Sequence, residues 1–234
     1  MQKKTKKISK FANNQFDFIL CITVILLLCL GIIMVLSASA PSALSITGSS
    51  YTYVKKQLIF AILGIIAMLF ISKVDYRFYK KFYKHAWWIA LLLLALVLVA
   101  GKTINGAKRW IYLTESLSFQ PSEFVKLLMI IFYAGILVKN RDELSKYGKG
   151  FIKHIILLAP IIGLLLLEPH FSASIVIISI CSVMMIMAGC KFWHFIATGG
   201  VVGLPAMIFL IIKEPYRLQR VVTFLDPWKD ATGN

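Results

Sequence analysis

Charge is the first thing this sequence lacks. Only 15% of its 234 residues are Asp, Glu, Lys or Arg, against about 25% in ordinary soluble domains. Hydrophobic residues make up 59% and the mean hydropathy is +0.80. Too few polar groups remain to cover a folded surface, which excludes a soluble globular protein. Acids are scarcer still, ten against 26 Lys plus Arg, for a net charge of +16. That excess could point to nucleic acid, but the basic residues fall in short clusters between long apolar runs. The pattern is that of cytoplasmic loops, and no nucleic-acid partner is expected. The cysteines are few and scattered: Cys21, Cys29, Cys181 and Cys190 form no CxxC and have no His at ligand spacing. They read as packing or lipid-facing residues rather than a disulfide or metal set. No soluble domain, low-complexity tract or clear internal repeat interrupts the apolar pattern.

Seven charge-free stretches are present, at residues 18–36, 57–72, 85–101, 127–138, 155–167, 171–190 and 195–212. A membrane-crossing helix needs about 20 apolar residues, so seven spans is the simplest count for an all-α, polytopic helical bundle. The fourth stretch must extend back to Pro121, a residue well suited to a first helical turn, which places Glu123 and Lys126 at the membrane boundary. The fifth and sixth meet in a tight turn at Glu168-Pro169-His170. Alternate loops carry 16 and ten of the 26 basic residues. The richer side, with Lys3 to Lys10, Lys73 to Lys84, Lys139 to Lys153 and Lys191, is expected to be cytoplasmic, with the N-terminus inside and the C-terminus outside. The first apolar run is too long for a cleaved signal peptide. Residues 1–17 form a basic cytoplasmic tail and 213–234 the start of an outer loop.

Six of the ten acids (Glu115, Glu123, Glu168, Glu214, Asp226 and Asp230) fall on the outer side. Charges of both signs at one membrane face mark a candidate site, although a solvated loop surface would also hold ordinary ion pairs. Four segments stand out. Asn105 to Ile111 (NGAKRWI) sets Lys108 and Arg109 beside Trp110, which suits an anionic lipid headgroup or a plain interfacial anchor. In the helix from Pro121, Glu123 and Lys126 are three apart and share a face, so they can pair. Such a pair reads as functional or as a helix-end marker. Glu168 in the EPHFS turn could orient a substrate or a neighbouring cation, or simply belong to a hairpin; His170 alone is no metal site. Finally Arg217 and Arg220 precede Asp226-Pro227-Trp228-Lys229-Asp230. Two arginines at helical spacing can face one anion, and two carboxylates can supply a base or a divalent-cation ligand.

NGAKRWI, FQPSEFVKL and RxxRVVTFLDPWKD, in this order and on one membrane side, resemble the SEDS family (the FtsW/RodA/SpoVE group). GIIMVLSAS at residues 31–39 and VDY at 74–76 resemble its first span and first inner loop. The resemblance covers nearly the whole chain. It departs from the family at His170 and Ser172, where Asp and Gly are usual, and in ending at Asn234 within the large outer loop. The family typically has ten spans, so the chain reads as a single SEDS-type membrane domain, 1–234, truncated after the seventh.

The resemblance implies a peptidoglycan glycosyltransferase of the bacterial plasma membrane. Such an enzyme polymerises lipid II at the outer face with a class B penicillin-binding protein, in division, elongation or sporulation. It implies Asp230 as the catalytic base. Lys108, Arg109, Arg217 and Arg220 would contact phosphate, with Trp110 shaping the site and Glu123 and Lys126 positioning it. A divalent cation, Mg or Mn, is compatible with pyrophosphate chemistry, but the sequence holds no dedicated metal motif. The rival readings are a lipid II flippase and a noncatalytic scaffold that recruits the penicillin-binding protein. A flippase calls for ionisable residues deep in the spans, and none of the seven runs carries a charge at its centre.

Overall fold

The structure, a computed structural model, describes residues 17–104, 107–112 and 118–212. It divides into two compact units, Met1–Asp75 and Tyr76–Asn234. In the first, α1 (Phe18–Thr47) and α2 (Thr52–Ser72) pack as a pair. Asp17 starts α1 by accepting a hydrogen bond from the Leu20 N–H at 2.9 Å, which satisfies one of the four donors left free at a helix start. Gly48 ends it in the left-handed conformation, φ 72°, which glycine adopts without a side-chain clash.

The second unit holds α3 (Tyr76–Ala100), α4 (Pro121–Lys139), α5 (Lys153–Leu167) and α6 (Phe171–Met187). Each presents one apolar stripe inward at helical spacing: Ala86, Ala90 and Leu94; Val125, Met129 and Phe132; Leu158, Ile161 and Leu165; Ala173, Ile177, Cys181 and Met185. The small residues of α3 let its backbone approach α4, and a Cβ at Gly135 of α4 would collide with the Tyr83 ring. Remaining large apolar side chains, such as Trp88, Leu92, Leu127, Ile156 and Met187, face outward. In water that surface would be unstable; against lipid it costs nothing. Two buried polar groups of this core find partners: the Tyr133 hydroxyl donates to the His154 carbonyl at 2.7 Å, and His154 Nδ1 pairs with the Gly150 carbonyl. Cys181 and Cys190 are buried and free, Cys21 is half-buried and Cys29 exposed, in line with packing and lipid-facing roles.

Among the described residues five helices are long and apolar enough to cross a membrane by length and composition, and Phe171–Met187 is a shorter apolar one. A seventh rod is assembled from α7 (Phe192–Thr198), a π-helical turn (Gly199–Gly203) and α8 (Leu204–Ile212). Among the described residues each apolar run therefore marks a helical segment, but several helices outreach their runs. α3 begins at Tyr76 and carries Lys80, Lys81 and Lys84 within it, because lysine is a good helix former and its stem can reach the interface. A π-helical turn, Tyr147–Ile152, likewise extends α5 at its start.

The segment between α3 and α4 is not a plain loop. It forms a three-stranded antiparallel ribbon of β1 (Lys102–Ile104), β2 (Ala107–Tyr112) and β3 (Ser118–Phe119), in that order. Lys102 faces Trp110 across one pairing, and Ile111 faces Phe119 across the other. β2 packs against α3 and α4.

Candidate functional site

The ribbon, the start of α4 and the α5–α6 turn meet at one end of the second unit. Strand geometry sends adjacent side chains to opposite faces, so Lys108 and Arg109 part company. Lys108 stays exposed and its Nζ donates to the Leu98 carbonyl at 3.4 Å. Arg109 is half-buried, and its Nη2 donates to the Pro169 carbonyl at 2.5 Å. Trp110 is half-buried beside it on the strand.

Pro121 occupies the first turn of α4, as its missing N–H favours. Gln120, at the N-cap, makes no side-chain cap hydrogen bond; its amide lies against His170 Nε2 instead. His170 in turn starts α6: its Nδ1 accepts from the Ala173 N–H at 3.3 Å, and its carbonyl accepts from Ser174 Oγ at 3.2 Å. An accepting Nδ1 puts the proton of the neutral ring on Nε2, which calls for the Gln120 amide oxygen opposite it. Burial holds the His170 pKa below its ordinary value, helped by the Arg109 charge, so the neutral form prevails at pH 7. Glu123 and Lys126 form the expected pair at 2.7 Å, with Glu123 the more exposed of the two.

Glu168 is the residue this geometry raises in importance. It caps α5 and is only 1% exposed. Burial pushes its carboxyl up to about 7, against a partial pull downward from Arg109. Three buried polar atoms at this end have no hydrogen-bond partner among the described residues: Glu168 Oε1, Arg109 Nε and Ser122 Oγ. A buried acid whose pKa is raised, beside a specific cation and with an unsatisfied oxygen, marks a candidate functional site. The sequence leaves Glu168 between an orienting role and a plain hairpin, and gives no sign of Gln120. The available signal is an acid placed between Leu167 and a proline at the end of an apolar run.

Arg217, Arg220, Asp226 and Asp230 lie outside the described residues. Among the described residues no three His, Cys, Asp or Glu stand together as a metal site, so those at this end do not fit a divalent cation by themselves.

Comparison with known proteins agrees with this architecture. A solved structure described as "Structural coordination of polymerization and crosslinking by a peptidoglycan synthase complex" matches 87% of this chain and 60% of its own at 28% identity, with a TM-score of 0.61. The rod shape determining protein RodA of Thermus thermophilus matches 77% of this chain and 58% of its own at 27% identity, with a TM-score of 0.59. Among curated proteins, the probable peptidoglycan glycosyltransferase FtsW of Coxiella burnetii is 38% identical over 100% of this chain and 62% of its own length. Stage V sporulation protein E of Bacillus subtilis is 36% identical over 93% and 60%. The chain thus spans between 50% and 62% of the length of four such curated relatives. Residues 17–234 match the family model FTSW_RODA_SPOVE, described as "Cell cycle protein". With the apolar helices and the shared fold, this match makes the chain a multi-pass membrane protein that belongs to the FtsW/RodA/SpoVE family.

Proposed function

We propose that the protein containing this chain is a peptidoglycan glycosyltransferase that polymerises lipid II at the outer face of the plasma membrane. The observation that carries this reading is the convergence of Arg109, Glu168, His170 and Gln120 at the ribbon end of the bundle, in a chain related to proteins named for that activity. The net positive flank of this end, Lys108 and Arg109, suits a lipid pyrophosphate.

Glycan extension joins a sugar hydroxyl oxygen to an anomeric carbon while the bond from that carbon to the lipid pyrophosphate breaks. A base must take the hydroxyl proton, and cations must hold the departing charge. In this reading Asp230 is the base; Lys108, Arg217 and Arg220 bind phosphate, and Arg109 sits between that phosphate and the buried turn. Glu168, with its pKa near neutrality, orients the guanidinium when ionised and donates a hydrogen bond when protonated. Trp110 walls the site, and the Glu123–Lys126 pair fixes the start of α4 beneath it. A class B penicillin-binding protein is the partner that would crosslink the product.

The test is polymerisation of labelled lipid II by the full-length protein with its partner, run beside an assay of lipid II movement across liposomes. Asp230→Asn keeps the size of the side chain and removes the base, and is expected to reduce polymerisation about 10² to 10⁴-fold with normal expression. Transbilayer movement without polymerisation in the unaltered protein would replace this reading with a flippase. Near-normal turnover in Asp230→Asn with loss in Asp226→Asn would exchange the roles of the two acids.

A further inference from the structure

At the opposite end of the second unit, α3, α4 and α5 enclose a cleft of about 340 Å³. Its cationic rim is Lys84, Lys139 and Lys153, one from each helix, and all three are exposed. Its wall is apolar: Trp87, Trp88 and Phe132 line it with Leu157. No carboxylate is among the described residues that line it. The Trp87 indole N–H donates to the Leu157 carbonyl at 3.0 Å, which ties α3 to α5 and fixes the wall.

The rim and wall are ordered by depth in the same sense on all three helices. Lys139 is the last residue of α4, and Phe132 lies seven residues, about 10 Å, deeper along it. Lys153 is the first residue of α5, and Leu157 lies one turn deeper. Lys84 of α3 precedes Trp87 and Trp88 on the way into the bundle. Cations at the boundary over an aromatic and aliphatic slot match one chemistry: an anionic headgroup above a hydrocarbon chain. A soluble anion would gain nothing from the slot, and an acidic peptide would leave it unfilled.

We propose that this cleft binds an anionic phospholipid, with the headgroup phosphate held by Lys84, Lys139 and Lys153 and an acyl chain laid along Trp87, Trp88 and Phe132. The charge asymmetry of the loops assigns the cleft to the cytoplasmic leaflet, so the lipid sits at the end of the bundle opposite Arg109 and Glu168 and is not the polymerised substrate. Bound between α3, α4 and α5, it would brace the same helices that carry the ribbon and the α5–α6 turn.

The experiment is native mass spectrometry of the purified chain in neutral detergent, titrated with dioleoylphosphatidylglycerol or dioleoylphosphatidylcholine. The unaltered chain is expected to retain phosphatidylglycerol in preference to phosphatidylcholine. The K84Q/K139Q/K153Q variant is expected to lose phosphatidylglycerol affinity about tenfold or more. A control, K146Q/K149Q/K191Q, removes the same charge from the same membrane side but outside the cleft, and is expected to change less than twofold. Equal retention of both lipids, unchanged affinity in the cleft variant, or equal losses in cleft and control variants would each overturn the proposal. Should the triple variant lose its helical circular dichroism, K153Q alone decides, with a loss of about fivefold expected and unchanged affinity refuting the site.

Discussion

Arg109 on the ribbon donates to the carbonyl of Pro169, 60 residues further along the chain. This one hydrogen bond ties the segment between α3 and α4 to the turn between α5 and α6, and brings a guanidinium next to the buried Glu168. Arg109 is thereby tied through backbone to the turn whose Glu168 and His170 also feel its charge.

Replacing Arg109 with lysine keeps the charge but removes the planar fork that reaches the Pro169 carbonyl. Losing a charged hydrogen bond at a half-buried site costs about 1.5–3 kcal/mol. The expected result for Arg109→Lys is a lower melting temperature in detergent and faster proteolysis within residues 102–119. Cleavage and melting equal to those of the unaltered chain would show that the contact does not hold the ribbon.

Glu168 makes stability depend on pH. Its folded pKa, about 7, lies above the ordinary 4.5, so between those values the folded chain holds a proton that the unfolded chain has released. Stability is then full below about pH 4.5 and falls as pH rises through 7, by about 3 kcal/mol at the upper limit. Melting temperature measured from pH 4.5 to 8.5 is expected to decline for the unaltered chain and to decline less for Glu168→Gln, which mimics the protonated acid. Parallel curves for the two would remove Glu168 from the account.

Gly135 tests the packing of α3 on α4. Any side chain there meets the Tyr83 ring, and overpacking a close helix contact costs about 1–3 kcal/mol. Gly135→Leu is expected to lower the melting temperature and to separate α3 from α4. Pairing it with Tyr83→Ala is expected to recover part of the loss. A destabilisation unaffected by the second substitution would mean that the ring is not what the new side chain strikes.

Topology can be read with reporter fusions. Alkaline phosphatase joined after Asn234 is expected to be active, and at Lys146 inactive, from the excess of basic residues on the side of Lys146. The reverse pattern would put the ribbon end inside the cell and remove the outer-face reading.

The amino-acid sequence by itself determined the class of this protein. Apolar runs of near-spanning length force helices, since a backbone in lipid must satisfy its own hydrogen bonds. Pro121 announces the start of α4, and the three-residue spacing of Glu123 and Lys126 announces their pair, because both are matters of local helix geometry. The motifs resembling the family were equally legible as strings. What sequence could not decide depends on contacts between distant segments. The ribbon arises because residues 102–104, 107–112 and 118–119 find partners in one another, and its short strands carry little periodic signal. It then turns Arg109 inward while leaving Lys108 outside. Gln120 gives up a capping role to meet His170, 50 residues away. Glu168 looks like any turn acid until folding buries it, for only the loss of water moves its proton affinity toward neutrality. The lysines of the opposite cleft are likewise ordinary loop-end cations in sequence, and only the packing of α3, α4 and α5 sets them around one apolar slot.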